Sequence, residues 1–254
     1  MAAETIARAL ASIAAWNNTG PEFNMRVQAV TFDVGGTLME PWPSVGHVYA
    51  EVAARHGVGN ISPDFLQTRF REAWRARRHF NHARAGWEEL VDEVFQGLAA
   101  LPPSATFFPK LYERFARPET WHVFDDVWPT LNALATRGLR LGIISNWDER
   151  LRPLLRRLRL SGFFETIVIS CEAGSVKPAR ILFDQAASGF RLPPGSILHV
   201  GDSLENDVRG AEAAGFQALQ IHRGAGKAGK GALTDLSGLL TRIVAPTAKT
   251  DKSV

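Results

Sequence analysis

Residues 30–38 read VTFDVGGTL: a short apolar run, a carboxylate at Asp33, then Gly35 and Gly36. The apolar residues predict a buried strand. The two glycines let the chain turn tightly at its end and aim backbone amides inward, and Thr37 is placed to fix that turn. An acid at the carboxyl end of such a strand stands where the chemistry of open α/β sheets gathers. Alone, an Asp-x-Gly-Gly turn is a weak signal, because glycine turns after strands are common.

The same alternation recurs further along the chain. With a first strand over Val27–Asp33, others are expected at Leu139–Ser145, Thr166–Ser170, Ser196–Asp202 and Gln217–His222, separated by helical stretches such as Val127–Arg137 and Ala179–Ser188. Near-continuous apolar strands with helical crossovers predict an α/β fold whose parallel sheet is covered on both faces. Between Glu40 and Trp121 the strand signal stops. Helical periodicity runs instead through Val45–Arg55, Pro63–Phe80, Trp87–Leu98 and Phe107–Phe115, broken at Gly57–Ser62, Asn81–Gly86 and Leu101–Pro103. The expected organisation is a core domain from 25–40 and 121–246, with an inserted helical domain over 41–120 that is well situated to cover the strand ends. Residues 1–24 read as a weakly amphipathic extension before a natural start at Met25, and 247–254 as a mobile tail.

Composition limits the function classes. Over 254 residues, 45% hydrophobic and 22% charged are ordinary globular values and exclude a disordered or disulfide-stapled chain. The one cysteine, Cys171, has no internal partner, and no apolar run approaches the roughly 20 residues that span a bilayer. A soluble, cytoplasmic protein is expected. A net charge of +3 with interleaved signs argues against a nucleic-acid partner, and the arginine-rich runs 69–84 and 150–159 read as solvated helix faces.

Three further motifs carry chemistry. HVGDSLENDVRGAEAAGF (199–216) places Asp202 at a strand end and Asp207 at the start of a small-residue helix. With Asp33 these acids make a hard oxygen site suited to Mg²⁺, although Asp207 also suits a helix N-cap. LGIISNWDERL (141–151) sets Ser145 and Asn146 after an apolar strand, where a hydroxyl and backbone amides grip an anionic oxygen or cap a helix. SVKPAR (175–180) holds Lys177 before a proline that restricts its backbone. A lysine among several carboxylates balances their charge and that of a bound phosphate.

In this order, FDxxGTL, strand-SN, KP and GDSxxNDxxGAxxAG resemble the signature of the haloacid dehalogenase (HAD) superfamily over essentially Arg26–His222. The helical insertion resembles the C1 cap of subfamily I. The resemblance implies a Rossmann-like core with Asp33 beside Asp202 on adjacent strands. It further implies a nucleophile at Asp33, and Mg²⁺ held by Asp33, Asp202 and the Gly35 carbonyl with support from Asp207. Ser145, Asn146 and Gly36 would face the phosphoryl oxygens, with Lys177 stabilising the developing charge. The substrate expected is a small phosphorylated metabolite, without nucleic acid or membrane as a partner.

One position departs from the pattern. Phosphatases of this family carry a second aspartate two residues after the nucleophile, where this chain has Gly35. General acid–base catalysis is worth about 10²–10⁴-fold, so slow turnover, dehalogenation, carbon–phosphorus cleavage or binding without catalysis all stay open. Lys110 is the one candidate for a phosphonatase-type cap lysine, while Glu40 and His47, the candidate replacement acids, read as solvated loop residues. In the insertion, Arg71, Arg75, Arg78 and His82 would share a face of a helix continued that far. That face is either solvated or, through Arg75 and Arg78, helps select an anionic substrate. Trp74 is expected to pack within the cap.

Overall fold

The computed structural model describes residues 25–244 except 78, 79, 225, 227 and 230. The expected N-terminal extension, the tail over 247–254, Arg78 and His79 therefore lie outside the described residues. Strand β1 (Met25–Arg26) precedes β2 (Ala29–Phe32), whose residues are all buried. Strand β3 (Met39–Pro41) pairs antiparallel with β4 (Trp121–Val123), which ties together the two ends of the helical insertion. Strands β5 (Arg140–Ser145), β6 (Thr166–Ile169), β7 (Ile197–Gly201) and β8 (Gln217–Gln220) follow, and β9 (Ile243–Val244) pairs with β1.

The central sheet is parallel and ordered β6-β5-β2-β7-β8. The chain winds one way from β2 to β5 and the other way to β7, so a switch point falls at the carboxyl end of β2. Phe32 is in register with Ile143 on one side and Val200 on the other. The next residue, Asp33, thus emerges between the strand ends bearing Ser145 and Asp202. Side chains of a strand alternate between faces. Val30 and Phe32 join one apolar layer with Leu131, Ile143, Leu154 and Leu198, while Ala29 joins the other with Phe183 and Phe190. Covered on both faces, the sheet is the expected α/β core.

The insertion carries helices α1 (Val45–Arg55), α2 (Pro63–Ala76), α3 (Arg84–Val94) and α4 (Phe108–Arg114) around a separate core that includes Tyr49, Leu66, Leu90, Phe107 and Leu111. Ser44 caps α1 by accepting from the His47 amide, and Pro63 stands in the first turn of α2, where its missing N–H costs nothing. The second helix ends at Ala76, short of the expected Phe80. Arg77 turns extended, and Phe80 packs edge-on against Trp87 of α3 at 4.6 Å. Burying that ring on the neighbouring helix outweighs another turn of α2. The helix face expected to run from Arg71 through His82 is therefore not formed, and His82 sits in a loop with φ +57°. No helix among the described residues is long and apolar enough to cross a membrane.

Candidate active site

The carboxyl ends of β2, β5 and β7 open into a cavity of ≈ 830 Å³ between the sheet and the helical insertion. Asp33, Ser145, Asn146, Lys177, Asp202, Asp207, Gly35 and Gly36 all line it. Asp33 is fixed by its own amide, which donates to the Val200 carbonyl at 2.9 Å. Its Oδ1 accepts from Ser145 Oγ at 3.0 Å and from Lys177 Nζ at 2.6 Å. Its Oδ2 accepts no hydrogen bond among the described residues, and the side chain keeps a small opening to the cavity. The two carboxylate oxygens thus differ, one held and one unbonded among the described residues.

Lys177 is buried and bridges Asp33 to Asp207, with the Ile144 carbonyl as its third acceptor at 2.9 Å. Its backbone is clamped by the Asn146 side chain, which accepts from the Lys177 amide at 2.7 Å and donates to its carbonyl at 3.2 Å. Asn146 thus lines the cavity with its amide committed to placing Lys177. Burial works against the ammonium charge, but Asp207 and Asp33 outweigh it and hold Lys177 well above the ordinary lysine range. Burial likewise opposes ionisation of Asp207, yet Lys177 and His199 keep that carboxyl far below the usual range. Asp33 is shifted the other way: burial raises it more than Lys177 lowers it, and Asp207 adds to the rise.

Asp202 completes the set. Its surface is open to the cavity, yet the surrounding walls displace enough bulk water that burial leads the shift, reinforced by Asp33 and Asp207, to about 7. Oxygens of Asp33, Asp202 and Asp207 lie within 4.8 Å of one another. Three carboxylates share one lysine, so the cluster is short of positive charge. A hard divalent cation fits this all-oxygen donor set, because it would offset the burial and mutual repulsion that raise Asp33 and Asp202.

Backbone shape sets the spacing. Gly36 has φ +75°, and a Cβ there would lie 2.6 Å from Asp202 Oδ2, so glycine lets the loop pass against that carboxylate. The Thr37 hydroxyl, expected to fix the turn, is buried without a hydrogen-bond partner among the described residues. The turn is held by Arg223 instead, whose guanidinium donates to the Thr37 carbonyl at 2.7 and 3.1 Å while paired with Asp126. Asp207 is not the helix N-cap. Ser203 takes that role by accepting from the Asn206 amide, and Asp207 turns inward and accepts from the Ser203 amide at 2.9 Å.

From the insertion, Arg71, Trp74, Arg77, His82 and Trp87 reach the cavity wall; Arg75 is exposed and does not. At 100° per residue Arg75 falls roughly a quarter turn from the face that carries Gln67, Phe70, Arg71 and Trp74. Arg77 is tied to Glu93 at 2.6 Å, whereas Arg71 has no hydrogen-bond or ion-pair partner among the described residues. Trp74 both packs within the insertion, stacked on Trp87 at 5.7 Å, and borders the cavity. Glu40, His47 and Lys110 do not line it, and Lys110 is exposed and paired with Glu113.

Two buried groups behind the site were not singled out in the sequence. His199 Nε2 lies 3.2 Å from Asp207 Oδ1, and Thr31 Oγ1 lies 2.9 Å from His199 Nδ1. A carboxylate only accepts, so Nε2 carries the proton to Asp207 and the threonine hydroxyl donates to Nδ1. Burial first of all keeps this imidazole below its ordinary range and neutral. The signal was a histidine and a threonine in otherwise apolar strands, which pair in register.

Residues 27–215 match the model of the haloacid dehalogenase-like hydrolases. The human haloacid dehalogenase-like hydrolase domain-containing protein 3 is 33% identical over 208 residues, covering 78% of this chain and 82% of that protein. The glyceraldehyde 3-phosphate phosphatase of Methanopyrus kandleri is 36% identical over 107 residues, 40% of this chain and 44% of its own. The crystal structure of a HAD phosphatase from Thermococcus onnurineus superposes with a TM-score of 0.62 at 27% identity, over 84% of this chain and 96% of that one. With carboxylate- and hydroxyl-bearing strand ends converging beneath a helical insertion, the chain belongs to the haloacid dehalogenase-like hydrolase family.

Proposed function

We propose that the chain is a cytoplasmic, Mg²⁺-dependent phosphatase that hydrolyses a small phosphorylated metabolite through an aspartyl-phosphate on Asp33. The observation that carries this reading is the split role of the Asp33 carboxylate, with Oδ1 held by Ser145 and Lys177 and Oδ2 open to the cavity beside Asp202. Asp33 attacks phosphorus and the ester oxygen leaves. Ser145 faces the phosphoryl oxygens and Lys177 balances their negative charge, while the Gly36 amide, expected to face them too, is committed to the Met39 carbonyl at 2.9 Å. Phosphoryl transfer needs little beyond such positioning and electrostatic stabilisation. Asp33, Asp202 and the Gly35 carbonyl would hold the metal with Asp207 in support, and the metal would supply charge neutralisation at the transferring group. Arg71, which lines the cavity and has no ion-pair partner among the described residues, is placed to meet a substrate anion, whereas Arg75 does not line the cavity. The phosphatases of Methanopyrus and Thermococcus support the reaction class.

The test is phosphate release from a panel of phosphomonoesters with Mg²⁺, for the wild type and Asp33→Asn, with and without EDTA. Release by the wild type alone, lost on chelation, is expected. A wild type no faster than Asp33→Asn on every ester would remove the phosphatase reading.

A further inference from the structure

Hydrolysis of a phosphomonoester leaves a leaving-group oxygen that must be protonated or stable as an anion. Among the described residues the carboxylates on the cavity wall are Asp33, Asp202 and Asp207. The first is the attacking group, and the other two belong to the acid cluster against Lys177 and the cation site. Tyr112 donates its hydroxyl to Glu149 at 2.8 Å, and burial raises both Tyr49 and Tyr112 above the ordinary phenol range. His82 is the one imidazole among the described residues of the wall. Burial, against the pull of Asp148, takes its imidazole to about 4, so it holds no spare proton at neutral pH. Among the described residues, no carboxyl or imidazole on the wall is thus left over to act as a general acid.

The space beside the nucleophile is aromatic instead. A Cβ built on Gly35 would lie 3.4 Å from the Trp147 ring, so the indole borders the position where an acidic side chain would stand. Trp147 is half-buried, and its ring is backed by Trp121 at 5.0 Å. Further out, the stacked Trp74–Trp87 pair continues the wall, with Trp74 37% exposed. A cavity of ≈ 830 Å³ with aromatic rings along part of its wall suits a ligand much larger than a two- or three-carbon phosphate.

Resting on the phosphatase reading, we infer that this site takes phosphomonoesters whose flat leaving group departs without a proton, that is, aryl phosphates seated against Trp147. In the first step a bond forms between Asp33 Oδ2 and phosphorus while the phosphorus–aryl oxygen bond breaks. The electron pair leaves on the phenolate, which takes its proton from solvent. Water then attacks phosphorus, the bond to Asp33 breaks, and phosphate is released with the water's proton passing to solvent. A phenolate is a far weaker base than an alkoxide, so the first step needs no acid at position 35. The indole supplies stacking area for the ring, a contact that alkyl esters cannot make.

The experiment uses the full chain with Mg²⁺ and measures kcat/KM for 4-nitrophenyl, phenyl and ethyl phosphate. The wild type is expected to fall steeply along the series, by at least about 100-fold between phenyl and ethyl phosphate, the scale of a missing general acid. Gly35→Asp is expected to narrow that spread at least about tenfold by raising the ethyl phosphate rate. Trp147→Leu is expected to raise KM several-fold for the aryl esters relative to ethyl phosphate. Ethyl and phenyl phosphate processed within a few-fold of each other by the wild type would overturn the inference while leaving a phosphatase. An equal KM change for aryl and alkyl esters in Trp147→Leu would overturn the seating on the indole. Absence of Asp33-dependent release from all three esters is a different result, which defeats the phosphatase reading itself.

Discussion

His82 shows what burial does to one side chain. It is 8% exposed in a loop, its Nδ1 has no hydrogen-bond partner among the described residues, and the rings of Trp74, Phe80 and Trp87 surround it. Desolvation dominates its titration, opposed by Asp148 and helped by Lys177, and takes the imidazole from 6.5 to about 4. The unfolded chain therefore binds this proton more readily than the folded one. Its contribution to stability is complete above about pH 6.5 and is lost as pH falls toward 4, to the extent of about 2–3 kcal/mol at pH 4.5. Urea titrations at pH 7 and pH 4.5 measure this against His82→Asn, since asparagine tolerates the positive φ. The variant is expected to lose less stability on acidification by that margin, and an identical loss in both proteins would contradict it. The histidine was visible in the sequence, but its surroundings were not. The periodic run of arginines suggested a continued helix, whereas contacts with Trp87 of another helix ended it.

At the scale of an element, β7 shows how a strand end is matched to the chemistry beyond it. A Cβ on Gly201 would fall 2.2 Å from Asp207 Cγ, so the carboxylate packs against bare backbone. His199 from the same strand reaches Asp207 from behind. Gly201→Ala is expected to push Asp207 off its partners, costing about 1–3 kcal/mol as overpacking does and lowering phosphate release more than tenfold. Gly195→Ala, where the added atom meets nothing within 4 Å, is the control expected to change neither. Thermal melts and activity assays on both variants decide it, and a Gly201→Ala protein with full activity would show that Asp207 does not depend on this contact. The strand ends themselves were legible, because an apolar run that stops at Asp33, Ser145 or Asp202 needs only local sequence. The chain Thr31–His199–Asp207–Lys177 was not, because it links strands 168 positions apart at its first step. In a buried parallel strand, a polar residue is announced by type alone and its partner by topology.

At the scale of the molecule, the insertion is fastened to the core by the loop that follows Ser145 and Asn146. Asp148 is fully buried and forms a two-pronged pair with Arg150, at 2.8 Å through Nε and 2.6 Å through Nη2. Trp87 of α3 donates its indole N–H to the same carboxylate at 3.0 Å. The Arg150 guanidinium also donates to the Tyr112 carbonyl of α4 at 2.8 Å and lies 3.5 Å from that ring's centroid. Arg150 opens a run that reads in sequence as a solvated helix face, yet here it is the clasp between two cores. Removing it as Arg150→Met leaves a buried carboxylate without its counter-charge, which costs about 3–5 kcal/mol. Arg150→Lys is expected to recover only part of this, because a point cation cannot bridge both carboxylate oxygens and the Tyr112 carbonyl. If the uncompensated charge is the cause, then Asp148→Leu added to Arg150→Met restores most of the lost stability. Differential scanning of the wild type, Arg150→Met, Asp148→Leu and the double variant completes the cycle. A double variant as unstable as Arg150→Met alone would place the cost in the lost aromatic and carbonyl contacts of the arginine.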